Sequence, residues 1–170
     1  PPTAPQSPGN HGAFTQIRVE NLDAMARLAE RLATGLQSGD VITLDGPLGA
    51  GKTTFVQLLG KAMGVTETIV SPTFVLIHEY LTGRLPMVHV DFYRLGPDDT
   101  DALANDVQEA IDEHHNGYRP VLLAEWAAYA TFIQPLATIR ITIDPADGET
   151  RQVSVACDRP GLLTMLGEAS

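Results

Sequence analysis

The sequence predicts a three-layer α/β fold, in which helices cover both faces of a sheet that mixes parallel and antiparallel strands. Three observations favour this class. An apolar strand, "DVITLD", leads through a glycine-rich segment into a helix. A second buried strand, "RPVLLAEW", follows a helical segment, as in strand–helix–strand units. Two pairs of alternating strands are separated only by short turn segments, which predicts two hairpins.

The chain reads as one domain preceded by a short lead-in. Its 170 residues fall within the roughly 100–200 that one domain usually occupies. Hydrophobic residues make up 44%, which is typical of a globular chain. We assign residues 1–13, which are rich in proline and glycine, to a flexible lead-in and residues 14–170 to a single domain.

The first half of the domain alternates strands and helices. "FTQIRV" at 14–19 has strand periodicity, and Asn21 is placed to cap a helix whose apolar residues recur at helical spacing until Gly39. The strand at 40–45 and the glycine-rich segment follow. "TTFVQLLGKAMG" is then a helix that ends at Gly64.

The second half contains the two hairpins. "TFVLIHEYL" and "MVHVDFYRL" are joined by "TGRLP", and "ATIRITID" and "TRQVSVAC" are joined by "PADGE". Between the hairpins lie an acidic helix at 97–113 and the strand "RPVLLAEW". "GLLTMLGEA" forms a short terminal helix.

The charge balance argues against direct binding of nucleic acid. The formal net charge is −10, and the only lysines are Lys52 and Lys61. Gripping nucleic-acid phosphates requires clustered lysine and arginine, and no such cluster occurs. The acidic run at 97–113 has no basic residue; it is either a solvated face or a docking surface for a basic partner.

Several absences lead us to expect a cytoplasmic protein with no membrane association. No apolar run approaches the roughly 18 residues of a membrane span, and the first residues do not form a signal peptide. The single cysteine, Cys157, cannot form an internal disulfide. Its alternating apolar surroundings predict a buried side chain.

The segment "GPLGAGKTT" at 46–54 matches the phosphate-binding pattern G-x-x-x-x-G-K-[ST] at every fixed position. Glycines allow successive backbone N–H groups to face the phosphates, and the following helix adds its positive end. Lys52 would neutralise the β- and γ-phosphates, and the Thr53 hydroxyl would ligate Mg²⁺. The predicted phosphate-binding residues are Gly46, Pro47, Leu48, Gly49, Ala50, Gly51, Lys52, Thr53 and Thr54.

Two carboxylates follow apolar strands, where ligands of open α/β sheets bind. Asp91 ends the strand in "VHVDFYRL", the position of a Walker-B carboxylate that holds Mg²⁺ directly or through water. Glu125 follows "VLLA" and would orient the attacking water or ligate Mg²⁺; the alternative is a carboxylate that caps the next helix. The predicted catalytic set is Lys52, Asp91 and Glu125, and the predicted metal ligands are Thr53, Asp91 and Glu125.

Three neighbouring features are less specific. Trp126 either packs in the core or anchors a surface near the nucleotide. Thr73, in "SPTF", either senses the γ-phosphate or lies in a simple loop-to-strand turn. His89 is expected to be buried and hydrogen-bonded. Zinc at His89 and His78 is disfavoured because no cysteine or second carboxylate has ligand spacing.

Taken in order, "GPLGAGKTT", "SPTF", "HVDFYRL" and "AEW" resemble the TsaE family, over roughly residues 21–155. The resemblance implies a P-loop NTPase-like fold that binds ATP and Mg²⁺ and hydrolyses ATP weakly alone. It further implies support for threonylcarbamoyladenosine synthesis at position 37 of tRNA, through the partner proteins TsaB and TsaD, with tRNA contacted only indirectly. It also places Thr73, Trp126 and Arg151 near the nucleotide.

Two other enzyme classes share the phosphate-binding pattern. A small-molecule kinase usually carries several lid arginines, and residues 95–117 contain none. A GTPase requires an N-K-x-D base-reading motif, which the chain lacks. The kinase remains the alternative to a partner-dependent ATPase.

Overall fold

A computed structural model describes residues 13–71 and 76–167. The described strands are β1 (Ala13–Val19), β2 (Val41–Asp45), β3 (Ile77–Tyr80), β4 (Met87–Asp91), β5 (Val121–Glu125), β6 (Ile139–Pro145) and β7 (Arg151–Cys157). The described helices are α1 (Leu22–Gly35), α2 (Lys52–Ala62), α3 (Gly96–Asp99), α4 (Ala104–Asp112) and α5 (Pro160–Gly167).

All seven strands form one sheet in the order β1-β7-β6-β2-β5-β4-β3. The four central strands, β6, β2, β5 and β4, run parallel. The flanking pairs β3–β4, β6–β7 and β1–β7 are antiparallel. Both predicted hairpins and the mixed sheet are therefore confirmed.

The core has two parts, one on each face of the sheet. Helices α1, α2 and α5 cover one face and bury side chains such as Leu28, Phe55 and Leu166. Helix α4 and the chain after β5 cover the other face, with Val107 and Ile133 buried. Cys157 is buried in the first part, as its apolar surroundings predict.

Helix α1 begins at the predicted cap and ends earlier than predicted. The Asn21 side chain accepts a hydrogen bond from the Ala24 N–H at 2.9 Å. The helix ends at Gly35, with Leu36 already extended, so Gly39 lies in the turn to β2 with φ 84° rather than at the helix end. Helical periodicity alone did not locate this boundary.

Replacing Asn21 with alanine should destabilise the protein by about 1 kcal/mol, because the Ala24 N–H loses its acceptor. In a chain of this size we expect the melting temperature to fall by about 2–4 °C. Asn21→Ser, which keeps a capping oxygen, is the matched control and should melt close to the wild type. Equal melting of the alanine and serine variants would show that the cap contributes nothing.

The acidic segment forms two helices rather than the single helix predicted. Between α3 and α4, residues Thr100–Leu103 form a tighter 3-10 turn. The buried Thr100 hydroxyl donates to the Tyr129 carbonyl at 2.8 Å. The interruption therefore begins at a residue that contacts a distant part of the chain, and local sequence does not reveal that contact.

Some predictions fall on parts of the chain that the structure leaves out. Most of the predicted lead-in and Thr73 of "SPTF" lie outside the described residues. The lead-in boundary moves by one residue, because β1 already begins at Ala13. Within residues 13–71 and 76–167, no helix combines the length and apolar character needed to cross a membrane.

Candidate functional site

Three carboxylates lie at the carboxyl ends of neighbouring parallel strands. Asp45 ends β2, Glu125 ends β5 and Asp91 ends β4. Glu125 is in register with Asp91 on one side and with Leu44, the residue before Asp45, on the other. Because parallel strands end at the same edge of the sheet, their order brings these acids together.

The glycine-rich loop, residues 46–51, connects β2 to α2 and has a backbone that other residues rarely adopt. Gly49 and Gly51 have φ values of 78° and 101°. A Cβ atom built on either of them would meet no atom within 4 Å, so the loop borders open space. A Cβ atom at Gly46 would instead collide with the Ile143 backbone carbonyl. The loop is therefore fixed at its base and open at its rim, which fits an anion held by backbone N–H groups.

Lys52 is the first residue of α2 and reaches back over the glycine-rich loop. Its ammonium donates to the Gly46 carbonyl at 2.7 Å and to the Pro47 carbonyl at 2.8 Å. The same ammonium lies 4.5 Å from the centre of the Trp126 ring. Burial lowers the pKa of Lys52, and Glu125, Asp91 and Asp45 oppose that shift. The side chain is 5% exposed and thus places a buried positive charge against the first residues of the loop.

Glu125 is buried and makes polar contacts with two other elements. The Thr53 hydroxyl in α2 lies 3.1 Å from Oε1 and 3.3 Å from Oε2 of Glu125. His89 in β4 contacts Oε2 through Nε2 at 2.6 Å. Glu125 is 2% exposed and His89 is fully buried, which confirms the prediction of a buried, hydrogen-bonded histidine. The predicted ligands Thr53 and Glu125 are therefore in contact with each other.

Asp91 is more accessible than Glu125. One of its oxygens, Oδ1, accepts a hydrogen bond from the Tyr93 N–H at 2.9 Å. Burial raises the pKa of Asp91, and the nearby Glu125 carboxylate raises it further, while the Tyr93 N–H lowers it. Ionisation of Asp91 in this site therefore lowers the folding stability of the protein.

Replacing Asp91 with asparagine should stabilise the metal-free protein at neutral pH, because the amide keeps the Tyr93 contact without the charge. Because the pKa of Asp91 is raised in the folded state, the protonated side chain contributes folding stability at pH values below its ordinary pKa of 3.8. That stability is lost as the pH rises through the folded-state pKa. The melting temperature of Asp91→Asn should therefore exceed that of the wild type at pH 7 in EDTA. Each kcal/mol recovered corresponds to about 2–4 °C.

The increase in melting temperature caused by Asp91→Asn should become smaller as the pH falls toward the ordinary pKa of an aspartate. Asp98→Asn, an exposed acid on α3, provides the matched control and should show no comparable gain. A variant with the same melting temperature as the wild type at every pH would show that Asp91 carries no electrostatic cost.

Trp126, the aromatic ring beside the Lys52 ammonium, packs against two tyrosine rings. Trp126 adopts a left-handed backbone conformation with φ 55°, which turns the chain immediately after β5. Its ring lies 4.8 Å from the Tyr93 ring and 5.5 Å from the Tyr129 ring, measured between centroids. Trp126 is therefore half-buried beside the site rather than in the interior of the core.

The remaining predicted residues occupy different positions around the loop. Arg151, at the start of β7, donates through Nε to the Ala50 carbonyl at 3.0 Å, so it supports the loop backbone. Leu48, at the loop tip, is 65% exposed. Thr54 is exposed in the first turn of α2.

Sequence reasoning did not identify Asp45 as a site residue. Its Oδ1 accepts a hydrogen bond from the Ala128 N–H at 3.2 Å, which ties the base of the loop to the turn after Trp126. Burial is the main cause of the raised pKa of Asp45, and the Lys52 charge partly offsets it. The sequence contained the same signal that identified Asp91, because Asp45 also ends an apolar strand.

The structure also gathers a histidine with two carboxylates away from this site. The possible ligand atoms of Glu79, Glu113 and His115 lie within 4.8 Å of one another. The three residues come from β3, the end of α4 and the following turn, so their sequence spacing does not reveal the group. Both glutamates are exposed, and the site built on β2, β4 and β5 does not involve them.

A protein-family model described as "Threonylcarbamoyl adenosine biosynthesis protein TsaE" matches residues 19–153, which include all three strand-end carboxylates and the glycine-rich loop. The chain belongs to the TsaE family. The resemblance drawn from the four sequence motifs is thereby confirmed, and the family's role is in tRNA threonylcarbamoyladenosine biosynthesis.

Individual TsaE relatives are similar over most of their length. The chain is 38% identical to a tRNA threonylcarbamoyladenosine biosynthesis protein TsaE from Nostoc sp., over 84% of this chain and 85% of that protein. It is 36% identical to the Bacillus subtilis protein of the same name, over 81% of this chain and 80% of that protein.

A solved structure has the same fold as this TsaE chain. The crystal structure of Bacillus subtilis YdiB superposes with a TM-score of 0.68 at 27% identity, covering 95% of this chain and 97% of that chain. Together with the mixed sheet, this likeness confirms the predicted P-loop NTPase-like α/β fold.

Proposed function

We propose that this TsaE-family chain is a Mg²⁺-dependent ATP-binding protein and weak ATPase that acts on a TsaB–TsaD complex during threonylcarbamoyladenosine synthesis. In this proposal it works in the cytoplasm and contacts tRNA only through that complex. The family assignment supports the pathway, and the geometry around Lys52 supports the nucleotide chemistry.

One observation carries the assignment of ATP: carbonyls of the glycine-rich loop hold the Lys52 ammonium, and the same loop has an open rim at Gly49 and Gly51. Lys52 already bonds two loop carbonyls, and Gly49 and Gly51 leave room that side chains would fill. The first N–H groups of α2 lack acceptors within the helix, as in any helix N-terminus. Positive charge, open backbone and a helix end at one point are suited to a chain of phosphates.

The contacts support a division of labour between the carboxylates. Thr53 and Glu125 already touch, so we assign the Mg²⁺ to these two oxygen donors. When bound, Mg²⁺ would neutralise phosphate charge and polarise the phosphoryl group. Asp91 has one oxygen occupied by the Tyr93 N–H and is partly exposed, so we assign its other oxygen to the attacking water.

The surrounding residues would shape this site without reacting. Trp126 would cover the Lys52 ammonium and limit its access to water. Arg151 would act through the backbone of the loop, because it bonds the Ala50 carbonyl. Thr73, which lies outside the described residues, stays a prediction as the γ-phosphate sensor.

The charge distribution supports partner-driven use of the ATP. A net charge of −10 without a basic cluster disfavours an independent tRNA-binding face. The acidic segment that contains α3 and α4 is available to dock on a basic protein surface. Completion of the site by partners would account for weak hydrolysis by the isolated chain.

The decisive experiment measures ATP hydrolysis by the purified chain alone and with purified TsaB, TsaD and unmodified tRNA. We expect slow hydrolysis alone, and stimulation together with repeated rounds of tRNA modification in the full mixture. Hydrolysis and modification that are unaltered by mixing would contradict the partner assignment. Absence of ATP binding by the chain in either condition would contradict the nucleotide assignment.

A further inference from the structure

His89 makes one polar contact in the part of the chain that the structure describes, and that contact is with Glu125. The histidine lies two residues before Asp91 in β4, on the face that is covered by α2. Its Nε2 atom is 2.6 Å from Glu125 Oε2. Its Nδ1 atom is buried and has no hydrogen-bond partner among the described residues.

The ionised form of the Glu125 carboxylate sets the direction of the hydrogen bond with His89. An ionised carboxylate can only accept hydrogen bonds, so with that form the Nε2–H of His89 donates to Glu125. Among the described residues the buried Nδ1 has no partner, and an unsatisfied buried nitrogen is unfavourable. A leucine would fill the same space without this cost, so packing alone does not account for a histidine at this position.

The contact with His89 also determines which oxygen of Glu125 lies nearer to α2. A glutamate side chain has three rotatable bonds, and holding it in one rotamer has an entropic cost. With Oε2 fixed by His89, Oε1 is the oxygen nearer to the Thr53 hydroxyl, at 3.1 Å. Partners of this kind orient metal-binding side chains in many sites.

We propose that His89 is a positioning residue that holds the Glu125 carboxylate in the orientation that receives Mg²⁺ beside Thr53. This inference rests on the proposed Mg²⁺-ATP function. His89 touches neither the metal nor the nucleotide in this arrangement and acts only through Glu125. Its substitution should therefore alter metal-dependent binding while leaving metal-independent binding of ATP intact.

The test compares His89→Leu, which removes the N–H donor, with His89→Gln, whose amide N–H can still reach Glu125. Calorimetric titration with ATP is carried out in EDTA and at increasing Mg²⁺. For His89→Leu we expect the Mg²⁺ concentration that gives half-maximal enhancement of ATP affinity to rise about 10- to 100-fold. Affinity in EDTA should stay at the wild-type value, and His89→Gln should recover most of the Mg²⁺ response.

His78→Leu is the matched control, because His78 is the cross-strand neighbour of His89 and makes no contact with Glu125 in the structure. It should leave both titrations unchanged. Melting temperatures of the metal-free variants report any purely structural effect. Affinity that falls equally with and without Mg²⁺, in step with the melting temperature and without rescue by glutamine, would overturn the proposal.

A double-mutant cycle distinguishes this proposal from the one on which it rests. In a Glu125→Gln background, His89→Leu should cause little further change in the Mg²⁺ response, because its target is already altered. Additive effects would show that His89 acts independently of Glu125. Wild-type protein that fails to bind ATP with Mg²⁺ would overturn the proposed function itself, before any variant is compared.

Discussion

Replacing Lys52 with alanine is expected to weaken ATP binding about 10- to 100-fold, because a hydrogen bond to a charged group contributes roughly 1.5–3 kcal/mol. The ammonium lies over the loop, held by the Gly46 and Pro47 carbonyls, where it would meet the phosphates. Removing it should not unfold the chain, since burial already lowers the pKa of Lys52 and makes its charge costly in the absence of ligand. Calorimetric titration with ATP measures the affinity, and thermal melting verifies the fold.

The chain supplies an unusually clean control for this experiment, because Lys61 is its only other lysine. Lys61 is exposed in the last turn of the same helix, and Lys61→Ala removes the same charge. It should leave ATP affinity at the wild-type value. Wild-type affinity in Lys52→Ala would show that the glycine-rich loop is not the phosphate site, whatever its sequence.

Replacing Glu125 with glutamine should reduce hydrolysis by more than about 100-fold, because several kcal/mol of metal-dependent charge stabilisation would be lost. Glutamine has nearly the same shape but no charge, and Glu125 is the carboxylate in contact with Thr53. The Mg²⁺-dependent part of the ATP affinity should fall with the rate. Affinity in EDTA should be retained, because the phosphate contacts of the loop are unchanged.

Asp91→Asn provides the comparison that assigns the two acids. It removes the same charge from the neighbouring strand end, and loss of a carboxylate that orients the attacking water and accepts its proton typically costs about 10²- to 10⁴-fold in rate. We expect hydrolysis to fall while the Mg²⁺-dependent affinity stays close to that of the wild type. The reverse pattern, with affinity lost in Asp91→Asn and kept in Glu125→Gln, would exchange the two roles.

The features that sequence predicted well are those set by local pattern. Alternating apolar residues located the strands of both hairpins, and the side-chain oxygen of Asn21 located the start of α1. The glycine-rich pattern identified the loop because its chemistry resides in consecutive residues. Asp91 and Glu125 stood out because each ends a run of apolar residues, and parallel strands bring such ends to one edge.

The features that sequence did not predict depend on contacts between distant segments. The break in the acidic segment begins at Thr100, which bonds the Tyr129 carbonyl from a distant part of the chain. The tryptophan that contacts Lys52 has a left-handed backbone conformation, and at a tryptophan this conformation carries no sequence signal comparable to a glycine. The pairing of His89 with Glu125 required the order of β4 and β5 in the sheet, which periodicity does not provide.

The pairing of β1 with β7 has a consequence for how the chain is made. Ala13 lies opposite Cys157, so the first described strand of the domain has a partner near the other end of the chain. Ribosomes add about 5–20 residues per second, so β1 waits on the order of 10 s for β7 to be synthesised. Until then the exposed edge of β1 has no partner in the sheet. The sheet can therefore be completed only after almost the whole domain has left the ribosome. In a chain stalled before residue 151, the edge of β1 would be free to pair with strands of other nascent chains.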